Sequence, residues 1–285
     1  MKKIIVLGGT GFVGAHVCEK LVREGWQVTV PTRRAIHAKG IMHLPGLTVQ
    51  QLDVHDETAL TAAVAGHDTL VNLVAILHGT QAAFEHVHVA LPQKIARACL
   101  AAGVAEVVHV SALGADSLQP ALAPSIYLRT KGEGEAVLVQ AAMGGSAGDL
   151  AQAGFDLSIL RPSVIFGAED KFLNMFAKLL KVLPMVPLAG AEAKFQPVWV
   201  QDVATAVVRC LAGASTQPSP RVIEAFGPEI LTLKQLVQIS AQLSGVGGGM
   251  GRLVLPLPAW AGRLQATVMG LAPGEPMMSL DNLDS

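Results

Sequence analysis

The chain is poor in charge, in aromatic rings and in cysteine. Only 15% of its 285 residues are Asp, Glu, Lys or Arg, and 21 basic residues nearly cancel 22 acidic ones. Such a balance gives no electrostatic footprint for nucleic acid or for a strongly acidic partner, so a small neutral or amphipathic ligand fits better. Three cysteines, Cys18, Cys99 and Cys210, stand far apart with no C-x-x-C pair. That spacing argues against a disulfide framework and a zinc site, and for a reducing compartment. Mean hydropathy is high at +0.45, yet no stretch offers the roughly 20 continuous apolar residues of a membrane-spanning helix. The apolar excess goes into a core, or onto a face that meets something apolar.

What is present is an alternation. Short apolar runs at 4–7, 28–30, 47–52, 69–74, 107–110 and 157–160 are separated by segments long enough for crossover helices. The opening Lys2-Lys3 and the run after it imitate a signal peptide, but Gly8 and Gly9 follow at once. A buried parallel strand reads in the same way. The rhythm predicts an α/β fold of the Rossmann type, a doubly wound parallel sheet. Val17, Leu21 and Val22 share one face of the first helix, which Gly25 ends. By composition, 143–148 is a flexible surface loop. After Gly167 the rhythm breaks. The expected organisation is a nucleotide domain over 1–167, completed by elements around 196–226, with 168–195 and 227–285 forming a smaller C-terminal lobe.

The strongest chemical signal is Gly8-Gly9-Thr10-Gly11-Phe12-Val13-Gly14, placed between the first strand and the first helix. Gly8 permits a tight turn, Gly11 lets backbone N–H groups reach a pyrophosphate, and Gly14 lets helix and strand pack closely. The second strand ends in Val30-Pro31-Thr32-Arg33-Arg34, with no acid to bond the ribose 2′-OH of NAD. Arginine there accommodates a 2′-phosphate, so NADP(H) is expected over NAD(H), with Arg33 the main clamp beside Arg34. The alternative is that both are ordinary solvated loop charges. Tyr127, the sole tyrosine, and Lys131 are four apart on an expected helix and hence share a face. An ammonium beside a phenol lowers its pKa and makes it usable as an acid or base.

These motifs, with Leu160-Arg161-Pro162-Ser163-Val164-Ile165-Phe166-Gly167 and Val198-Trp199-Val200-Gln201-Asp202-Val203-Ala204, together resemble the extended short-chain dehydrogenases/reductases, of the NAD-dependent epimerase/dehydratase kind. The segments His109 to Ala115, Ile126 to Arg129 and Met278 to Ser285 are similar to the atypical branch that contains the NADPH-binding accessory subunit of respiratory complex I. The resemblance implies that Thr10, Phe12 and Val13 surround the pyrophosphate and Asp53 and Val54 the adenine. It puts Leu73, Val74 and Ala75 behind the cofactor, and Pro162 and Val164 near the nicotinamide. Tyr127 and Lys131 match the acid–base and ribose-holding positions of active members. Ser111 opens the stretch where those members carry a substrate-orienting serine or threonine, with Ala112 and Leu113 following, and His88 stands where their relay asparagine is expected. The nucleotide site is complete while the catalytic set is not.

Two amphipathic helices complete the reading. In 171–183 the stripe of Phe172, Met175, Phe176, Leu179, Leu180 and Leu183 opposes Lys171, Lys178 and Lys181, and 259–271 repeats the theme with Trp260, Leu264, Val268 and Leu271. Such helices lie in a membrane interface, or pack on their own lobe as a pocket lid. The expectation is an NAD(P)H-binding, complex-I-accessory-like protein with a membrane-protein partner and no metal. With no transit-type segment before the first strand, the expectation is a bacterial-type cytoplasmic protein able to lie peripherally on the inner membrane, or an organellar protein already processed. The rival is a working oxidoreductase or epimerase using Tyr127 and Lys131 on a nucleotide-sugar, quinone or isoprenoid-like substrate. An RNA-binding or regulatory NADPH sensor of the same fold finds no basic patch in its favour.

Overall fold

The computed structural model describes residues 1–144, 154–182, 185–213, 218–245 and 253–256. Strand β1 (Lys3–Leu7) leads through the glycine turn to helix α1 (Phe12–Arg23), then β2 (Gln27–Thr32), β3 (Leu47–Gln51), α2 (Glu57–Val64) and β4 (Thr69–Asn72). Helix α3 (Gln81–Glu85) continues through one π-helical turn, His86–Ala90, into α4 (Leu91–Ala102) and β5 (Glu106–Val110). Helix α5 (Ile126–Ala142) and β6 (Asp156–Pro162) follow. Then come β7 (Ile165–Phe166), α6 (Leu173–Val182), β8 (Met185–Leu188), β9 (Lys194–Phe195) and β10 (Val198–Trp199). Helix α7 (Val200–Leu211), β11 (Arg221–Ala225), β12 (Leu231–Thr232), α8 (Leu233–Leu243) and β13 (Leu253–Pro256) complete the described elements.

The elements form two compact units, Met1–Pro162 with Val200–Ala225, and Ser163–Trp199 with Phe226–Ser285. Residues 163–167 and 196–199, expected in the nucleotide domain, belong to the second unit. The cause is local, since β7 pairs with β10 through Ile165–Val198 and Phe166–Trp199.

The first unit is built on seven parallel strands in the order β11-β6-β5-β4-β1-β2-β3. Each of the six apolar runs falls on a strand, with 47–52 and 69–74 continuing past the strand's end. Ile4, Ile5, Val6 and Leu7 have no exposure at all, because helices cover both faces of a parallel sheet, and so β1 reads as a continuous run rather than an alternation. The run 69–74 leaves the sheet at Asn72, whose Oδ1 accepts the Val74 N–H at 3.1 Å and turns the chain. Strand order reverses between β1 and β4, and the carboxyl ends of an open sheet form a crevice at such a point.

Helix α5 contains Gly132 and Gly134, poor choices on helix propensity alone. Their reason is packing: a Cβ at Gly134 would lie 2.0 Å from the His88 carbonyl oxygen, and one at Gly132 2.4 Å from that of Asp116. Helix α5 is thereby pressed against the π turn.

In the second unit, Phe176 and Leu180 of α6 are buried with Val186, Leu188, Leu233 and Val237, and Phe172, Met175 and Leu179 pack against them. The apolar stripe of 171–182 therefore packs within its own unit, mainly on α8, with Lys171, Lys178 and Lys181 exposed. Leu183, the loop from 145 to 148, the amphipathic segment 259–271 and the segment 278–285 lie outside the described residues. Among the described residues no helix is long and apolar enough to cross a membrane.

Gly134→Ala tests the contact with the π turn. Alanine gains about 1 kcal/mol of helix propensity, but overpacking against a backbone carbonyl costs about 1–3 kcal/mol. Net destabilisation is expected, read as a lower Tm, and a higher Tm would contradict the packing.

Candidate functional site

The site begins at the turn after β1. Gly8 has φ +79°, and a Cβ on it would stand 3.1 Å from Leu73 C and Val74 N, at the end of β4. A Cβ on Gly14 would come within 2.2 Å of the Gly8 carbonyl oxygen and 2.6 Å of Gly9 Cα. Only glycine at Gly14 allows α1 to start this close to the strand. The Gly11 N–H donates to Gly8 O at 3.0 Å, which closes the turn. Gly11 caps α1 without a side chain, and the helix has no acidic residue in its first turn. Its first N–H groups are thus left to an external anion. Gly11 is exposed, with Thr10, Phe12 and Val13 half-buried around it. This cradle fits a pyrophosphate.

At the end of β2, Thr32 is buried and Arg33 and Arg34 are exposed, the Thr32 hydroxyl donating to the Arg34 carbonyl at 3.2 Å. At the end of β3, exposed Asp53 accepts the His55 N–H at 3.0 Å, and Val54 packs on the core. The His55 ring stacks on His86 with centroids 4.2 Å apart. Burial, then the neighbouring His86, holds the His55 pKa below its ordinary value, with Lys94 and Arg33 adding to the effect and Asp53 opposing it. Behind the glycine turn, the Leu73 N–H donates to Leu7 O at 2.9 Å, while Ala75 is exposed.

The third part lies on α5. Ser125 caps the helix by accepting the Leu128 N–H, and Tyr127 and Lys131 share its inner face. Lys131 is 1% exposed and donates from Nζ to the Val110 carbonyl at 2.9 Å. Burial lowers its pKa to about 8, against an opposing pull from Glu135. Glu135 is fully buried and accepts two bonds from Arg161, at 3.0 Å to Nε and 2.6 Å to Nη2. Ser111, directly after Val110, is buried, and its hydroxyl finds no hydrogen-bond partner among the described residues. Pro162 ends β6 and accepts the Leu113 N–H at 2.9 Å, while Val164 belongs to the second unit and accepts from Val198.

Tyr127 corrects an expectation. A lysine four residues away was to lower its pKa; burial instead pushes the phenol up to about 12. The Lys131 ammonium is engaged with Val110. The half-buried Tyr127 ring is edge-on to His88, with centroids 5.4 Å apart, and to Phe84 at 6.1 Å. At neutral pH Tyr127 keeps its proton.

His88 is buried in the π turn and points inward, where its Nε2 accepts the Ile76 N–H at 3.2 Å and its Nδ1 faces the Thr130 hydroxyl at 3.0 Å. Sequence reasoning missed Thr130, Glu135, Arg161, Asn72 and His109 as participants. Glu135 was within reach, four residues beyond Lys131 on one helix face. The bond of Asn72 Nδ2 to His109 Nδ1, 3.0 Å, joins β4 to β5 and leaves no periodic trace. Among the described residues no group of three His, Cys, Asp or Glu is arranged to hold a metal.

A seven-stranded parallel sheet with a glycine cradle at its switch point defines a dinucleotide-binding Rossmann protein. The NAD dependent epimerase/dehydratase family model matches residues 4–225, and the chain belongs to that family. More particularly, it is similar to NADH dehydrogenase (ubiquinone) 1 alpha subcomplex subunit 9, mitochondrial. It is 32% identical to the mouse protein over 98% of this chain and 70% of that one. To the Arabidopsis thaliana protein it is 30% identical over 82% of this chain, spanning 56% of the plant subunit. Among solved structures, the dTDP-glucose 4,6-dehydratase of Streptomyces venezuelae with NAD bound shares the fold, with TM-score 0.73 and 21% identity over 90% of this chain and 84% of that one.

Two measurements check this site. Removing Arg161 as Arg161→Met leaves Glu135 buried without its partner, and a loss of about 3–5 kcal/mol in urea unfolding is expected. Lys131 is neutral in the fold above pH about 8 but stays protonated in the unfolded chain up to about 10.4. Between these values the unfolded chain holds more protons, so this group makes stability rise with pH, by no more than about 1 kcal/mol per unit. Lys131→Met should remove that rise. An identical slope in both proteins between pH 8 and 10 would contradict the burial of a titrating ammonium.

Proposed function

We propose that the chain binds NADP(H) in preference to NAD(H) and holds it chiefly as a structural element. In this reading it is an accessory component of a respiratory complex of the NADH dehydrogenase (ubiquinone) type, peripheral on the cytoplasmic face of a membrane. Gly8, Thr10, Gly11, Phe12, Val13 and Gly14 take the pyrophosphate. Asp53 and Val54 take the adenine, Arg33 with Arg34 the 2′-phosphate. Leu73, Val74 and Ala75 back the cofactor. Tyr127 and Lys131 hold the nicotinamide ribose, with Pro162 and Val164 beside the ring. When bound, the dinucleotide supplies a hydride; the chain's own residues bind and orient it.

The observations that support the structural reading are a fully built cradle at Gly8 to Gly14 and a Lys131 ammonium committed to the Val110 carbonyl. The names of the mouse and Arabidopsis relatives support the respiratory setting. The rival reading, a working oxidoreductase or epimerase, draws on the buried Ser111 hydroxyl without a partner. It requires substrate turnover that Tyr127→Phe abolishes.

Nucleotide released from freshly purified protein is expected to be NADPH by mass spectrometry, and not to be oxidised by quinones or nucleotide-sugars. Arg33→Ala is expected to weaken NADPH binding about 10- to 100-fold while barely affecting NADH, since a charge-assisted contact is worth about 1.5–3 kcal/mol. Nicotinamide fluorescence titration reads both. Equal loss for the two nucleotides would remove Arg33 from the phosphate subsite.

A further inference from the structure

Both ring nitrogens of the buried His88 have partners. Its Nε2 lone pair receives the Ile76 N–H at 3.2 Å, so a neutral ring carries its proton on Nδ1, toward Thr130 Oγ1 at 3.0 Å. Thr130 Oγ1 lies 3.0 Å from the carbonyls of both Ile126 and Tyr127, which take its own proton. Thr130 can therefore only accept from His88, and one tautomer satisfies the whole chain of bonds. The backbone is fixed as well, because Gly134 of α5 leaves no room between its Cα and the His88 carbonyl oxygen. The ring packs against Phe84 at 5.5 Å and against Tyr127 at 5.4 Å. A second proton on the ring would set Nε2–H against the Ile76 N–H. Burial and the charge of Lys131 oppose that proton too, taking the His88 pKa down to about 3.

We propose that His88 is a positioning residue, a neutral latch that ties the segment ending at Ile76 to helix α5 and so slows release of the dinucleotide. The inference rests on the cofactor reading above, in which Leu73, Val74 and Ala75 lie behind the nucleotide while Tyr127 and Lys131 of α5 hold its ribose. In that reading the latch joins two elements that flank the nucleotide, and holding them together slows its release. A ring whose lone pair and proton are both committed to fixed partners relays no proton, which accords with a retained cofactor.

The test compares the whole protein with His88→Phe and His88→Gln. Phenylalanine keeps the ring packing and loses both hydrogen bonds; glutamine can accept from Ile76 through its oxygen and donate to Thr130 through its nitrogen. NADPH release, followed by fluorescence in stopped flow after dilution into competing nucleotide, is expected to be about tenfold faster in His88→Phe and within about twofold of the parent in His88→Gln. Histidine nitrogen NMR of the unaltered protein should show the Nδ1–H tautomer of His88, unchanged from pH 8 to pH 5. The Ile76 amide should exchange with solvent slowly in the parent and fast in His88→Phe. An Nε2–H tautomer, titration of His88 in that range, or unchanged Ile76 exchange overturns the latch. Unchanged NADPH release in His88→Phe overturns its role in retention. A protein that binds no dinucleotide removes the cofactor reading and retention together, while the tautomer and Ile76 exchange still judge the latch.

Discussion

The approach of Gly14 to the Gly8 carbonyl sets the position of everything else at the nucleotide end of the molecule. With no Cβ at Gly14, α1 starts in contact with the end of β1; with one, the helix would have to move away from a backbone oxygen 2.2 Å distant. The helix position in turn fixes where its first N–H groups point. Gly8 then rests on Leu73 and Val74, so the turn is coupled to β4 across the switch point. This backbone contact adds to the parallel ladder from Ile4–Thr69 to Leu7–Asn72 that joins the two strands between which the strand order reverses.

Much of this was legible in the sequence because parallel strands are buried on both faces and read as unbroken apolar runs. Runs such as 4–7 and 107–110 needed no tertiary information, and the glycine turn was visible because its position between strand and helix is what its chemistry requires. The family match over residues 4–225 and the similarity to the mitochondrial subunit agree with the resemblance carried by those motifs. Less legible was anything decided by burial. Tyr127 and Lys131 were correctly placed on one helix face, but the sign of the tyrosine shift depended on how much water its ring loses, and spacing says nothing about that. The outer boundary of the first unit was missed for a similar reason, since two-residue strands such as β7 and β10 have no period to detect.

The buried polar groups around α5 are an expensive way to fill a core. Lys131, Glu135, His88, His109 and Thr130 are all buried, and the Glu135–Arg161 pair carries its own desolvation cost. Apolar replacements of similar volume are often neutral or stabilising at such positions. Their common property here is direction: Lys131 fixes α5 to the end of β5, Arg161 fixes it to β6, and Thr130 joins it to His88. Helix α5 is held in register by bonds with defined geometry, where packing alone tolerates sliding.

A π turn amounts to one surplus residue in an otherwise regular helix. In His86–Ala90 that surplus separates two histidines, one stacked on His55 and the other turned inward to Thr130. Loss of one residue between Glu85 and Leu91 would turn this segment into ordinary α-helix, leaving α4 close to its present phase while removing the offset that sends His86 and His88 to different partners. Among descendants of this chain, point substitutions at the two histidines are open to selection one at a time, whereas a single-residue deletion here would keep the helix and displace both histidines at once.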